Sequence, residues 1–265
     1  MIKADRPKGD GGREYHLHTQ PGDIAPLCIL VGSPQRAMMI GNQLFDNAKL
    51  VGDHRGLASY TGWAHGHEMS VVTTGMGGAS LGTVLPEAAR CGAKMFIRVG
   101  SCSSLLEDPA PGDVIIVSAA ARLDGASLNW APVWYPAVAS HFVVTALERA
   151  LMMEDKSRRF YTGVEASTDC FNEGQGRDCN GPIPSHLRVQ HQELLRLGAA
   201  CYSMEASTLF TWCATHNGGM PRGAINAVYG NRVTNAFEVA GEELAARVAI
   251  RALADLAEAG EVDEE

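Results

Sequence analysis

Four kinds of residue in this chain stand where chemistry could explain them. Arg98 interrupts the apolar run Met95-Phe96-Ile97-Arg98-Val99 just before Gly100. A charge there must find a counter-ion or reach a cleft, because an unpaired buried charge is costly. A buried arginine–carboxylate pair and an anion site explain it equally well. Arg36 follows the apolar run Leu27–Val31 and the turn Gly32-Ser33-Pro34, at a helix start. Backbone amides and the positive end of a helix favour an anion there, with a solvated helix arginine as the plain alternative. Glu205 lies in Tyr202-Ser203-Met204-Glu205-Ala206, between an apolar strand and a helix, where a carboxylate can either bind a ligand or serve the helix dipole. Gln175 and Arg177 lie in a polar loop over residues 169–180, which composition alone reads as solvated. Gly75-Met76-Gly77-Gly78 is a glycine turn that lacks the third glycine of a dinucleotide fingerprint, so it gives no basis for NAD binding.

The elements that must hold these residues alternate in type. Strands are expected at Leu27–Val31, in short pieces between residues 48 and 73, and at 95–99, 114–117, 161–166, 200–203 and 223–229. Helices are expected from Pro34, after Gly78, and over 143–152, 187–197, 206–215 and 242–259, the last amphipathic through Leu244, Val248, Leu253 and Leu256. Such alternation implies an α/β fold, a single domain with a central mixed β-sheet flanked by helices. Ligands in such sheets bind beyond the carboxyl ends of strands, which is where Gly32, the 75–78 turn, Gly100-Ser101 and Glu205 fall. The domain is expected over residues 15–260, with residues 1–14 as a flexible N-terminal arm and 262–265 as a frayed acidic tail.

The chain has 265 residues, of which 46% are hydrophobic and 20% charged, enough apolar material for a full core. Its net charge of −8 argues against a nucleic-acid or anionic-membrane partner, since either would need a basic field. No apolar run approaches the roughly 20 residues that span a bilayer, and the N-terminus has no apolar core of a secretory signal. The cysteines are Cys28, Cys91, Cys102, Cys170, Cys179, Cys201 and Cys213, an odd seven with no C-x-x-C pair. They read as thiols in a reducing compartment, and a cytoplasmic location is expected. His65 and His67 look like the tip of a turn, and no metal site is expected.

Taken in order, LCILVGSPQR, DHR, VVTTGMGGAS, FIRVGS, PGDVIIV, ARLDGASLNWAP, STDCFNEGQGR, YSMEAST and the Asn231-Arg232 pair resemble the nucleoside phosphorylase family of the uridine/hexameric-purine type. The similarity runs from about Tyr15 to Leu256, and uridine-cleaving members are the most similar. The resemblance implies reversible phosphorolysis of uridine to uracil and ribose 1-phosphate, with inorganic phosphate as co-substrate and no other cofactor. A purine, deoxynucleoside or broad-specificity phosphorylase is the alternative, and a non-catalytic nucleoside-binding protein a more distant one. By the same resemblance Gly32, Arg36, Arg98 and Ser101 hold phosphate, with Arg55 supplied by a neighbouring subunit. Met204 and Glu205, with Ser101, hold the ribose, and His16 reaches its 5′-hydroxyl from the adjacent subunit. Phe171, Gln175 and Arg177 take the base, with Arg232 in support. Arg98, Arg177 and Glu205 are the catalytic candidates. The family pattern implies a homo-oligomer with shared sites, at least a dimer and up to a hexamer.

Asn231 stands where purine-cleaving members carry an Asp that protonates the base, and an amide offers no such mobile proton. Three positions depart from the pattern. Ser203 replaces a Glu that helps grip the ribose hydroxyls, which opens sugar preference. Gly56 replaces a Glu that helps hold an interfacial cation, and Ser101-Cys102-Ser103 replaces the usual Thr with a later Gly.

Overall fold

The computed structural model describes residues 4–155, 161–178 and 181–262. Its strands are β1 (Leu27–Val31), β2 (Asp46–His54), β3 (Leu57–Ala64), β4 (His67–Thr73), β5 (Met95–Ser104), β6 (Val114–Leu123), β7 (Ala137–Val138), β8 (Tyr161–Thr168), β9 (Cys201–Ser203) and β10 (Arg222–Asn231). The helices are α1 (Pro34–Met39), α2 (Gly78–Cys91), α3 (His141–Glu154), α4 (Ser185–Arg196), α5 (Ala206–Thr215) and α6 (Glu242–Glu258).

β1 is buried along its whole length, which is why its sequence is continuously apolar. Its side chains divide between two cores, as the period of a strand requires. Leu27, Ile29 and Val31 face a core shared with Leu147 of α3 and Val248 and Leu253 of α6, whereas Cys28 and Leu30 face Leu85 of α2 and Phe210 of α5. β1 pairs in parallel with β4 on one side and β5 on the other, and β3 and β2 extend that wing antiparallel. His65 and Gly66, both at positive φ, form the tip of the β3–β4 turn, and His67 begins β4.

The other half of the sheet closes on itself. β5 pairs with both β10 and β9, β10 with β6, β6 with β8, and β8 with β9. Parallel and antiparallel pairings mix around this five-stranded ring, so the expected mixed sheet is present, wrapped rather than open. β5 runs five residues beyond the Val99 end read from sequence. Gly100 continues the strand because it still pairs with Asn226 of β10.

The expectation of a flexible arm over residues 1–14 is corrected from Lys8 onward. Glu14 is 2% exposed and takes an ion pair from Lys8 at 2.6 Å and another from Arg90 at the end of α2 at 2.8 Å. At the other end Val262 packs into the core, and residues 263–265 of the acidic tail lie outside the described residues, as does Cys179. The other six cysteines are free thiols, five of them buried.

Candidate active site

The carboxyl ends of β1 and β5 supply the first group of residues. Ser33 caps α1, its hydroxyl accepting from the Gln35 amide at 3.2 Å, and Pro34 occupies the first helical position. One turn later Arg36 is directed into the protein. Its Nη1 donates to the Val99 carbonyl at 3.0 Å, its Nε to Glu242 Oε1 at 3.1 Å, and its Nη2 to the Tyr229 hydroxyl at 2.9 Å. The reading of Arg36 as a solvated helix arginine is therefore overturned. Its charge is already shared with Glu242, the first residue of α6.

Arg98 is 4% exposed, and its charge has found a counter-ion. It forms a buried ion pair with Glu205, and it also lines a cavity. Nη1 donates to Asn226 Oδ1 at 2.9 Å, while Nε is buried with no hydrogen-bond partner among the described residues. A buried donor left unmade costs free energy.

Glu205 precedes α5, and its carboxylate is held from three sides. Gly77 N–H donates to Oε1 at 2.8 Å, and Met204 N–H and the Ser203 hydroxyl donate to Oε2 at 3.2 and 3.3 Å. The glycine turn makes the first of these contacts possible. Gly75 and Gly77 lie at φ +73° and +84°, where side chains are disfavoured. A Cβ on Gly78 would meet Thr208 Oγ1 of α5 at 2.4 Å.

The loop after β8 is ordered by its own polar groups rather than simply solvated. Arg177 lies 3.9 Å over the Phe171 ring and donates to the Phe171 carbonyl at 2.6 Å, to Gln175 Oε1 at 2.5 Å and to the Ser103 hydroxyl at 2.8 Å. Gln175 is buried, and its amide nitrogen reaches Thr168 at 3.3 Å. Arg232 donates to the carbonyls of Gln175 at 2.7 Å and Gly176 at 3.2 Å, so it buttresses the loop from behind and does not line the cavity. Asn231 spends its amide on backbone. Its nitrogen meets the carbonyls of Leu106, Glu107 and Pro109, and its oxygen accepts from Val233 and Thr234.

These groups enclose one cavity of about 600 Å³, within the range of small-molecule sites. Gly32, Arg36, Arg98 and Ser101 line it, as do Phe171, Gln175 and Arg177, and Ser203, Met204 and Glu205. The sequence reading missed the apolar wall of Met76, Phe237 and Val239, which its polar loop context hid. It also missed Glu242, whose link to Arg36 spans distant segments.

His16 and Arg55 do not line this cavity. They cluster with each other instead. Arg55 lies over the Tyr15 ring, with Cζ 5.9 Å from its centroid, and Tyr15 meets His16 edge to face. Glu87 of α2 fixes His16, accepting from its backbone amide and facing Nδ1 at 2.8 Å. Among the described residues no three His, Cys, Asp or Glu side chains are grouped as metal ligands.

A family model described as the phosphorylase superfamily matches residues 26–259, nearly the whole fold. This chain belongs to that superfamily. Uridine phosphorylase of Thermococcus kodakarensis is 40% identical over 259 residues, covering 97% of this chain and 92% of that protein. Uridine phosphorylase of Escherichia coli is 33% identical over 222 residues, covering 82% and 86%. Guanosine phosphorylase of Halorubrum lacusprofundi is 29% identical over 222 residues, covering 83% and 85%. The superfamily match takes in every residue that lines the cavity and the glycine turn. The family resemblance carried by the short motifs therefore holds over the whole chain.

Proposed function

We propose that this chain is a pentosyltransferase that catalyses the reversible phosphorolysis of uridine to uracil and ribose 1-phosphate. The observation that carries the reading is that one cavity brings three groups together. Arg36 and Arg98, the Gln175–Arg177 pair and the Glu205 carboxylate all line it, and its volume of about 600 Å³ suits a nucleoside with a phosphate. Uridine phosphorylases among the relatives support the choice of substrate.

Phosphate enters at Gly32, Arg98 and Ser101, which line the cavity together. Guanidinium groups match phosphate oxygens and hold the nucleophile in line with the anomeric carbon. Met204 and Glu205 seat the ribose. A phosphate oxygen bonds to C1′ as the C1′–N1 bond breaks, and the bonding pair leaves with uracil as its anion. The developing sugar cation is stabilised by the phosphate, and the base anion by Arg177. The anion then takes up a proton to give uracil. Asn231, with its amide committed to backbone, is no proton donor to a purine, which favours the pyrimidine reading. Inorganic phosphate is the co-substrate, and the chemistry draws on no other cofactor.

The reading includes a second copy of the chain, at least a dimer and up to a hexamer, whose Arg55 and His16 complete the phosphate and ribose ends. The support is that these residues cluster on the surface around exposed Tyr15, away from the cavity of their own chain. The free thiols suit a reducing, cytoplasmic setting.

The test is product formation from uridine, thymidine, 2′-deoxyuridine and inosine, each with and without phosphate. Phosphate-dependent release of uracil, fastest from uridine, is expected. Faster cleavage of inosine would move the chain to the purine reading, and no turnover of any of the four would overturn the catalytic one.

A further inference from the structure

Behind the cavity lies a carboxylate that the reaction above does not use. Glu165, on β8, is fully buried. A buried carboxyl must be hydrogen-bonded or it destabilises the fold. Among the described residues Glu165 has three donors. Of these, Ala206 adjoins Glu205 and Asn226 bonds Arg98, and Glu205 and Arg98 both line the cavity. Oε1 accepts from the Ser167 hydroxyl at 2.5 Å and from Ala206 N–H, the residue after Glu205, at 3.1 Å. Oε2 accepts from Asn226 Nδ2 at 2.8 Å. The other face of the same Asn226 amide, Oδ1, accepts from Arg98 Nη1 at 2.9 Å, and Arg98 pairs with Glu205. The contacts close a ring from Glu165 through Asn226, Arg98 and Glu205 back to Ala206.

We infer that Glu165 is a positioning residue for phosphorolysis, which sets the Arg98 guanidinium through Asn226 and the Glu205 carboxylate through the start of α5. The inference rests on the function proposed above. An asparagine amide can face either way, and only an acceptor behind Nδ2 fixes Oδ1 toward the guanidinium. Without it, an N–H turned toward Arg98 would repel the side chain it now holds.

Gly100 gives a second, independent observation. It is the register partner of Asn226 across β5 and β10. A Cβ there would lie 1.7 Å from Arg98 Nη1 and 2.2 Å from Asn226 Oδ1. The strand has thus left out a side chain where the Arg98–Asn226 contact needs the space. With Nη1 and Nη2 both engaged, Nε is the guanidinium nitrogen left without a partner among the described residues. Burial raises the Glu165 carboxyl above its ordinary pKa while the Arg98 charge and the Ser167 bond draw it down, so Glu165 and Arg98 are also linked electrostatically.

The test is Glu165→Gln. It keeps the shape and one acceptor oxygen for Ala206 and Ser167, and it turns the side facing Asn226 from acceptor to donor. The KM for phosphate in uridine cleavage should rise about tenfold or more, with a smaller fall in kcat, and calorimetry should show a matching loss of inorganic phosphate affinity. In an Asn226→Ala background the same change should add less than about twofold, because the relay is already cut. A merely structural role would lower thermal stability without this split or this non-additivity. Unchanged phosphate KM and affinity, or fully additive effects, would overturn the inference. Wild-type protein that fails to cleave any nucleoside would overturn the function proposed above. The inference is then decided by the crystal structure of Glu165→Gln, in which a displaced Arg98 supports it and an unmoved Arg98–Asn226 contact refutes it. If Glu165→Gln does not fold, Asn226→Ala alone is read by the same phosphate affinity and the same displacement of Arg98.

Discussion

Arg177 donates at once to the Phe171 carbonyl, the Gln175 amide and the Ser103 hydroxyl, so its planar fork has little freedom to turn. A departing base anion gains most from donors that need no reorganisation as charge develops. Arg177→Ala should therefore lower kcat/KM for uridine about 100-fold, the scale of losing one preorganised donor to a developing anion. Any activity toward inosine should fall much less, because the hypoxanthine carbonyl is on the ring that does not carry the glycosidic nitrogen and so does not stand where a uracil carbonyl does. Steady-state kinetics with both nucleosides checks this, and equal losses would remove Arg177 from base recognition. Arg98 and Arg177 were both visible in the sequence, for different reasons. Arg98 is a charge inside an apolar run, which composition alone flags. Arg177 lies in a polar loop where nothing local marks it, and only the family resemblance singled it out. Asn226 carried the same signal as Arg98, a lone amide in the apolar stretch Gly223-Ala224-Ile225-Asn226-Ala227-Val228, and went unread. Glu165 carried none, because an isolated glutamate in Gly163-Val164-Glu165-Ala166-Ser167 looks like the solvent face of a strand.

At the scale of elements, legibility follows burial. β1 and the amphipathic stripe of α6 were plain because their surroundings are apolar on a fixed period. β2 was read only as short pieces, since as an outer strand it is largely exposed and carries Asp46, Lys49 and Asp53. Ring closure through β5, β9 and β10 could not be read at all, because it joins residues near 100, 200 and 226 and no local pattern encodes a distant pairing. The N-terminal segment failed for a related reason, as its polar residues hid an anchor. Burial works to raise the Glu14 carboxyl, but the hydrogen bonds from Arg90 and Lys8 outweigh it and hold the pKa below the ordinary value. A carboxyl whose pKa is lower folded than unfolded adds stability above the unfolded value and loses it as pH falls through the folded one. Glu14→Gln should thus cost about 1–2 kcal/mol near neutral pH, a modest sum because Arg90 and Lys8 remain partly in water. The gap from wild type should close as pH drops below the ordinary carboxylate range. Thermal unfolding of both proteins across pH measures it, and a gap that persists at acid pH would mean that the ion pairs are not what anchors the segment.

For the whole molecule, the question is whether one chain holds a complete site. Arg36 and Arg98 line the cavity, yet Arg36 is shared with Glu242 and Arg98 with Glu205, so much of the positive charge available to a phosphate dianion is already offset. Arg55 lies outside that cavity on a surface cluster with Tyr15 and His16, and a two-fold partner can deliver all three residues together. If each site joins Arg98 of one chain to Arg55 of its partner, Arg98→Ala and Arg55→Ala should each abolish most phosphorolysis when expressed alone. Mixed dimers of the two variants should recover it. In a mixed dimer one site takes both substitutions and the other takes neither, so one of two sites is intact. Random assembly makes about half of the dimers mixed, and co-expression should therefore restore about a quarter of wild-type activity. Recovery near that level would establish the shared site by function alone. Co-expressed variants that stay as inactive as either one alone would mean that each chain works without its partner's Arg55.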